Sequence, residues 1–149
     1  MKTKSLMPTT LLLLAIILMV ALHYAFPLAA VIPPYWNLLG TAPLLLGIAI
    51  NLAADKAFHR AGTTVKPFLE SEALLTDGVF RLTRNPMYLG FVFILSGTAV
   101  LMRTLTPFSI ILLFAVLIDR MYIREEERMM AVKFQERWTD YKKNTRRWL

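Results

Sequence analysis

The sequence predicts an all-α, polytopic membrane protein with about four transmembrane helices, a cytosolic loop and a C-terminal amphipathic helix. Two observations predict this fold class: 56% of the 149 residues are hydrophobic, and the mean hydropathy is +0.52. Such a chain is too apolar for an ordinary soluble domain and too long for a single membrane anchor. It contains no cysteine, and its two histidines, His23 and His59, lie far apart. We therefore expect no metal site.

The basic residues indicate how the chain crosses the membrane. Of the 17 Lys and Arg residues, all but Arg103 lie within the first four residues, between 56 and 84, or from 120 onward. Cytoplasmic segments of membrane proteins are enriched in basic residues, which also attract anionic lipid headgroups. We therefore expect an integral protein of a prokaryotic inner membrane, with both termini cytoplasmic, membrane lipids as partners and no nucleic-acid partner.

The first two predicted spans cover residues 9–31 and 38–58. At about 1.5 Å per residue the first would measure ~34 Å, which is enough to cross a hydrocarbon core of about 30 Å. Pro33 and Pro34 are expected to end it, because proline interrupts a helix. The second span is expected to end before Arg60.

Residues 61–84 form a polar connection between the second and third spans. It is longer than a tight loop between two helices requires, and long ordered loops are often functional. We interpret it either as a lid or wall of a binding site or as a solvated linker.

The third and fourth predicted spans, 86–102 and 107–123, form a helical hairpin. Asn85 is expected to cap the third span, with Pro86 at the first helical position. The Thr-Pro pair at 106–107 repeats this pattern at the start of the fourth span, so both helices have a defined first turn.

Residues 124–145 are predicted to form a cytosolic helix with one apolar face. Met130, Phe134, Trp138 and Tyr141 recur at spacings of four, four and three, which places them on one side of an α-helix. This face either lies on the membrane surface or folds back on the protein core.

Two polar clusters are expected at the same end of the hairpin, residues 84–90 and residues 125–127. They can face each other across a small pocket. In a continuous helix Asp119 and Glu126 lie within about 20° of one face, with Tyr122 between them. Both clusters also have simpler explanations, the first as a helix cap with interfacial anchors and the second as a solvated helix face.

Several motifs occur together in the C-terminal half: LLTDGVF at 74–80, RNPMYLG at 84–90, Glu125 with Glu126, and Phe134 with Tyr141. In this order and spacing they resemble the isoprenylcysteine carboxyl methyltransferase family and its relatives among phospholipid and other membrane methyltransferases. The resemblance covers about residues 62–149. It implies a membrane enzyme with S-adenosylmethionine as cofactor, bound at the cytosolic end of the last spans. The methyl acceptor would be a lipid-like or small molecule with a carboxylate, thiol or amine.

The resemblance also implies which residues form the site. The family often has histidine where this chain has Asn85, so we expect no histidine general base and assign no catalytic side chain; proximity and orientation would suffice. The expected substrate contacts are Arg120, Arg124 and Tyr122, the last at a position where eukaryotic members place an arginine. The expected cofactor contacts are Glu72, Ala73, Leu74, Leu75, Phe80, Arg84, Asn85, Pro86, Met87, Tyr88, Glu125 and Glu126.

The chemistry of these residues is compatible with that cofactor. Glu126 and the faces of Phe80 or Tyr88 suit its cationic groups, whereas the start of the third span or Arg84 suits its carboxylate. Arg120 and Arg124 could hold an acidic group of the substrate or form salt bridges with the glutamates.

Two other functions remain open from the sequence. One is a small multi-helix transporter of cationic compounds, and the other is a non-catalytic lipid-binding membrane protein of the same fold. A transporter is expected to place an acidic residue near the middle of the membrane, yet the first three spans have none at that depth and Asp119 lies near the end of its helix.

Overall fold

A computed structural model describes residues 7–63 and 73–149, and within these ranges every regular element is a helix. This confirms the predicted all-α fold. Three helical segments are long and apolar enough to cross a membrane, and a shorter apolar helix accompanies them. The protein is therefore an integral membrane protein. The helices are α1 (Pro8–Ala25), α2 (Thr41–Arg60), α3 (Pro86–Met102), α4 (Thr106–Ile118) and α5 (Arg124–Asn144).

The first helix is shorter than predicted, because α1 ends at Ala25 and not near residue 31. The next residues turn to the loop between α3 and α4: Val31 N donates to Arg103 O at 2.9 Å, and Leu105 N donates to Ala29 O at 3.2 Å. Pro27 has no N–H group with which to continue the helical hydrogen bonding. The expectation that the helix of the first span reaches residue 31 was wrong. The backbone groups at 29–31 form hydrogen bonds with residues 103–105, which the local sequence does not reveal.

The fourth helix also begins differently from the prediction. Thr106, expected to cap it, is its first residue. Its hydroxyl instead donates to Phe26 O at 2.6 Å and accepts from Leu28 N at 3.2 Å. Thr106 therefore ties α4 to the chain that follows α1.

Helices α2 and α3 pack antiparallel with their backbones in close approach. A Cβ added at Gly40, in the short 3₁₀ helix that precedes α2, would lie 2.5 Å from Gly97 O. About two helical turns further along, Gly47 faces Gly90 in the same way. Small residues permit such close packing between membrane helices. The Gly90 of the 84–90 motif is thus explained by helix packing.

A π-helix at Asp119–Ile123 joins α4 to α5. Arg124 N donates to Asp119 O, five residues back, so the residues that follow are rotated relative to a regular α-helix. The predicted common face of Asp119 and Glu126 assumed a regular helix and is wrong. Because of the π-helix the two carboxylates have different partners: Asp119 binds Arg124 and Arg147, whereas Glu126 binds Tyr88.

Two apolar clusters form the core. The larger one, between α1, α3 and α4, includes Met19, Leu95, Phe114 and Tyr122. The smaller cluster joins Ala54 of α2 and Phe80 to the apolar face of α5. That face of α5 therefore folds back on the protein, which decides between the two alternatives that the sequence left open. The helix is kinked at Gln135, where φ is 45° and ψ is −111°.

Candidate functional site

The two polar clusters meet where α3 begins and α5 leaves the π-helix. Tyr88, in the first turn of α3, donates its hydroxyl hydrogen to Glu126 Oε1 at 2.7 Å. The Tyr88 ring lies against Tyr122, with 6.2 Å between the centroids. The predicted juxtaposition of the clusters is confirmed by this contact.

Burial determines the charge state of Glu126. Removal of the carboxyl from water raises its pKa from the ordinary 4.5 to about 7, while the hydrogen bond from Tyr88 acts in the opposite direction. A carboxyl with a pKa in this range takes up or loses its proton near neutral pH. Perturbed groups of this kind are common at functional sites.

Arg84 is a second buried charged group at this end of the bundle. Its side chain is 7% exposed, and its Nη2 lies 3.0 Å from Glu127 Oε1. The guanidinium carbon lies 5.7 Å from the centroid of the Trp138 ring, a cation–π distance. Its Nε is buried and has no hydrogen-bond partner among the described residues. A buried N–H group without a hydrogen bond destabilises the folded protein, so this N–H group of Arg84 could donate a hydrogen bond to an acceptor atom of a ligand.

Each of the three consecutive glutamates has a different environment. Glu125 pairs with Arg128 at 2.9 Å on the solvent-exposed side of α5. Glu126 meets Tyr88. Glu127 pairs with two arginines: it forms an ion pair with Arg84 and accepts hydrogen bonds from Arg147. The simple reading of this run as one solvated face thus holds for Glu125 alone.

The side chain of Asn85 does not act as predicted. It was expected to cap α3, but its Nδ2 donates to Arg147 O at 3.1 Å. Pro86 does occupy the first position of the helix, and Asn85 O accepts from Leu89 N at 3.0 Å. The start of α3 is therefore fixed by Pro86 and by the C-terminal segment.

The apolar residues predicted to contact the cofactor belong to the smaller core cluster. Tyr141 Oη donates to Phe80 O at 2.6 Å, and burial raises the pKa of Tyr141 to about 12, with the charge of Arg84 opposing the rise. Leu74, Leu75 and Met87 pack against the same cluster. Ala73 begins the described segment beside them, and Glu72 lies outside the described residues.

The three residues predicted to contact the substrate are not brought together. Tyr122 is fully buried in the larger core cluster. Arg124 is exposed and pairs with Asp119 at 2.8 Å, so its salt bridge is not with the glutamates. Arg120 is exposed.

Sequence reasoning missed two residues of this region, Thr83 and Arg147. The hydroxyl of Thr83 donates to Arg147 O at 2.9 Å and accepts from Asn85 N at 3.1 Å. The guanidinium of Arg147 contacts Glu127 and Asp119. The position of Arg147 just after a long amphipathic helix was the available signal, but its partners are distant in sequence.

Comparison with known families identifies the chain. Residues 35–137 match the family model described as phospholipid methyltransferase. The chain belongs to the phospholipid methyltransferase family. Its membership confirms the resemblance predicted from the motifs, and it places the chain in a family of membrane methyltransferases.

A solved structure shares the fold of this family member. It is the eukaryotic intramembrane Ras methyltransferase, isoprenylcysteine carboxyl methyltransferase, with a TM-score of 0.68 and 21% sequence identity. The similarity covers 95% of this chain and 51% of that one, so the chain spans about half the length of that enzyme. No curated protein gives a significant match.

Proposed function

We propose that this protein is an S-adenosylmethionine-dependent methyltransferase that acts at the membrane on a lipid-like or small acceptor bearing a carboxylate, thiol or amine. One observation carries the proposal: a buried carboxyl held by a tyrosine, Glu126 with Tyr88, lies in the same region as the buried Arg84, whose Nε has no partner in the described part of the chain. Membership of a methyltransferase family supports it.

The charges of this region fit the cofactor. S-adenosylmethionine has a cationic sulfonium, an ammonium group and a carboxylate. Glu126 can compensate one of the two cations, while the unpaired Nε of Arg84 can donate to the carboxylate. We expect the ring of Phe80, which is buried in the smaller core cluster with Leu74 and Leu75 packed against that cluster, to line the wall of the site that faces the remainder of the molecule. In this proposal residues 72–75, 85–88 and Glu125 complete the cofactor contacts that the family resemblance implies.

The role of the protein is alignment. When bound, S-adenosylmethionine supplies a methyl group on a positively charged sulfur, which becomes a neutral thioether once a lone pair of the acceptor has taken the methyl group. Asn85 has no useful proton to exchange and is held by Arg147 O, so it is not a general base. Fixing donor and acceptor in line can provide most of the rate enhancement of such a displacement.

The acceptor is proposed to arrive from the lipid phase. We assign the candidate site to the cytoplasmic side of a prokaryotic inner membrane, because most Lys and Arg residues fall in the same chain segments as the site residues, 56–84 and from 120 onward. Both termini are then cytoplasmic. Arg120 and Arg124, which are both exposed, are proposed to meet anionic headgroups or an acidic group of the acceptor, for which Arg124 would exchange its ion pair with Asp119.

Calorimetry and methyl transfer test the proposal with protein purified in detergent. S-adenosylmethionine should bind, and a labelled methyl group should be transferred to one member of a panel of prenylcysteines, phospholipids and small thiols. Glu126→Gln should weaken cofactor binding about tenfold or more, since it removes a charge-assisted contact. Glu136→Gln, the same change at an exposed position of α5, is the matched control.

The outcomes separate the alternatives. Absence of cofactor binding by folded protein would refute the proposal. Lipid binding without cofactor binding would indicate a non-catalytic lipid-binding protein, and movement of organic cations across vesicles would indicate a transporter.

A further inference from the structure

The segment after α5 returns to the start of α3. Thr145 is buried. The carbonyl groups of the next two residues, Arg146 and Arg147, accept hydrogen bonds from residues 83–85. Arg84 N donates to Arg146 O at 2.9 Å. The carbonyl of Arg147 accepts from Thr83 Oγ1 at 2.9 Å and from Asn85 Nδ2 at 3.1 Å. The backbone here therefore holds the Arg147 side chain at a fixed place beside α5.

That side chain binds two carboxylates. Nη2 and Nε of Arg147 donate to Glu127 Oε2 and Oε1 at 2.6 and 3.1 Å, a bidentate pair. Nη1 donates to Asp119 Oδ1 at 3.1 Å. Asp119 is the first residue of the π-helix, and Glu127 lies in the first turn of α5 that follows it, so Arg147 links the start of this irregular segment to the helix after it.

Glu127 is shared between two arginines. Its Oε1 accepts from Arg147 Nε and lies 3.0 Å from Arg84 Nη2. Its Oε2 is taken by Arg147 Nη2. Arg147 thus occupies most of the hydrogen-bonding capacity of Glu127. Arg84 keeps the contact of its Nη2 with that carboxylate, while its Nε has no partner within residues 7–63 and 73–149.

We propose that Arg147 is a positioning residue: by binding both oxygens of Glu127, it keeps that carboxylate from also pairing with Nε of Arg84, so that this Nε remains available to bind a carboxylate of the ligand. This inference rests on the proposed function, since the ligand carboxylate is that of S-adenosylmethionine. Arg147 itself acts only through Glu127.

Removal of the Arg147 guanidinium changes which arginine the Glu127 carboxylate contacts. In Arg147→Gln the backbone carbonyl still accepts from Thr83 and Asn85, but the bidentate pair is lost. Glu127 then turns both oxygens to Arg84, where a bidentate carboxylate is favoured. The ligand carboxylate has to compete with this intramolecular partner.

The test compares two ligands that differ only in the carboxylate: S-adenosylmethionine and decarboxylated S-adenosylmethionine. Dissociation constants are measured by calorimetry on the full chain in detergent, for the wild type and for Arg147→Gln. Arg147→Gln should weaken binding of S-adenosylmethionine about tenfold. Binding of the decarboxylated ligand should change less than about twofold, because it lacks the group that Arg84 would bind.

Two further variants keep the inference testable. Arg147→Lys retains a charge but not the bidentate geometry, and it should show an intermediate ligand preference. Adding Glu127→Gln to Arg147→Gln removes the competing carboxylate, so it should restore much of the affinity for S-adenosylmethionine. The ratio of the two constants in one preparation is independent of the fraction of folded protein.

Three results would overturn the inference. An equal loss of affinity for both ligands would mean that Arg147 is only structural, and an unchanged ratio in both single variants would mean that Glu127 does not compete for Arg84. If the wild type bound neither ligand, the proposed function itself would fail, which is a different observation from a failure confined to the variants.

Discussion

Binding of a cation at Glu126 should depend on pH in a direction that the structure specifies. The carboxyl has a pKa of about 7 in the folded protein and an ordinary value of 4.5. Between these values the folded state binds more protons than the unfolded state. The stability that the buried neutral carboxyl contributes is therefore present below about 4.5 and is lost as the pH rises through 7. At higher pH the folded protein carries the cost of a buried carboxylate, roughly 3 kcal/mol at 1.36 kcal/mol per pKa unit.

A bound cation offsets this cost, so binding is coupled to loss of the proton. Below the pKa, the affinity for S-adenosylmethionine should rise by up to about tenfold per pH unit and then level off near pH 7. Titration calorimetry between about pH 5.5 and 7.5, in buffers with different ionisation enthalpies, counts the protons released on binding. We expect close to one proton at the acidic limit and a value that falls toward zero as the pH rises.

Glu126→Gln supplies the control for this pH dependence, because glutamine cannot titrate. In this variant the affinity should be lower and independent of pH over the same interval, without proton release. A flat pH profile in the wild type, or an equal slope in the variant, would show that Glu126 does not meet the cationic groups of the ligand.

Two further changes test the surroundings of the site. Tyr88→Phe removes the hydrogen bond that lowers the pKa of Glu126, so the midpoint of the pH profile should move upward in the same calorimetric series; an unchanged midpoint would exclude tuning by Tyr88. Gly97→Ala places a Cβ 2.5 Å from Gly40 O and should destabilise the fold by about 1–3 kcal/mol, seen as a lower melting temperature, whereas Ser96→Ala on the same helix should have a small effect. A stable Gly97→Ala protein would contradict the close approach of α2 and α3.

The sequence predicted those features that depend on short stretches of chain. Apolar runs, Pro86 and the basic segments are local signals, and they sufficed for the all-α membrane fold and for the start of α3. The contact between Tyr88 and Glu126 could also be anticipated, since both lie at the same end of a helical hairpin. That expectation depends only on the order of the helices and not on side-chain rotamers.

The features that were missed depend on distant partners. The end of α1 is determined by hydrogen bonds between residues 29–31 and the loop at 103–105, which no local pattern shows. The π-helix at Asp119–Ile123 has no distinct sequence signal either, and it invalidated the assumption of a continuous helical face. Arg147 finds its carboxylates only when the chain returns after α5.

The three glutamates at 125–127 show how one helical turn can serve three purposes. Successive residues of an α-helix point about 100° apart, so they meet different surroundings. Here solvent and Arg128 surround Glu125, Tyr88 meets Glu126, and Arg84 with Arg147 surround Glu127. The two arginines neutralise Glu127, whereas Glu126 meets a neutral tyrosine hydroxyl. Under the proposed function, the cationic groups of S-adenosylmethionine would therefore compensate the charge that Glu126 gains when it loses its proton.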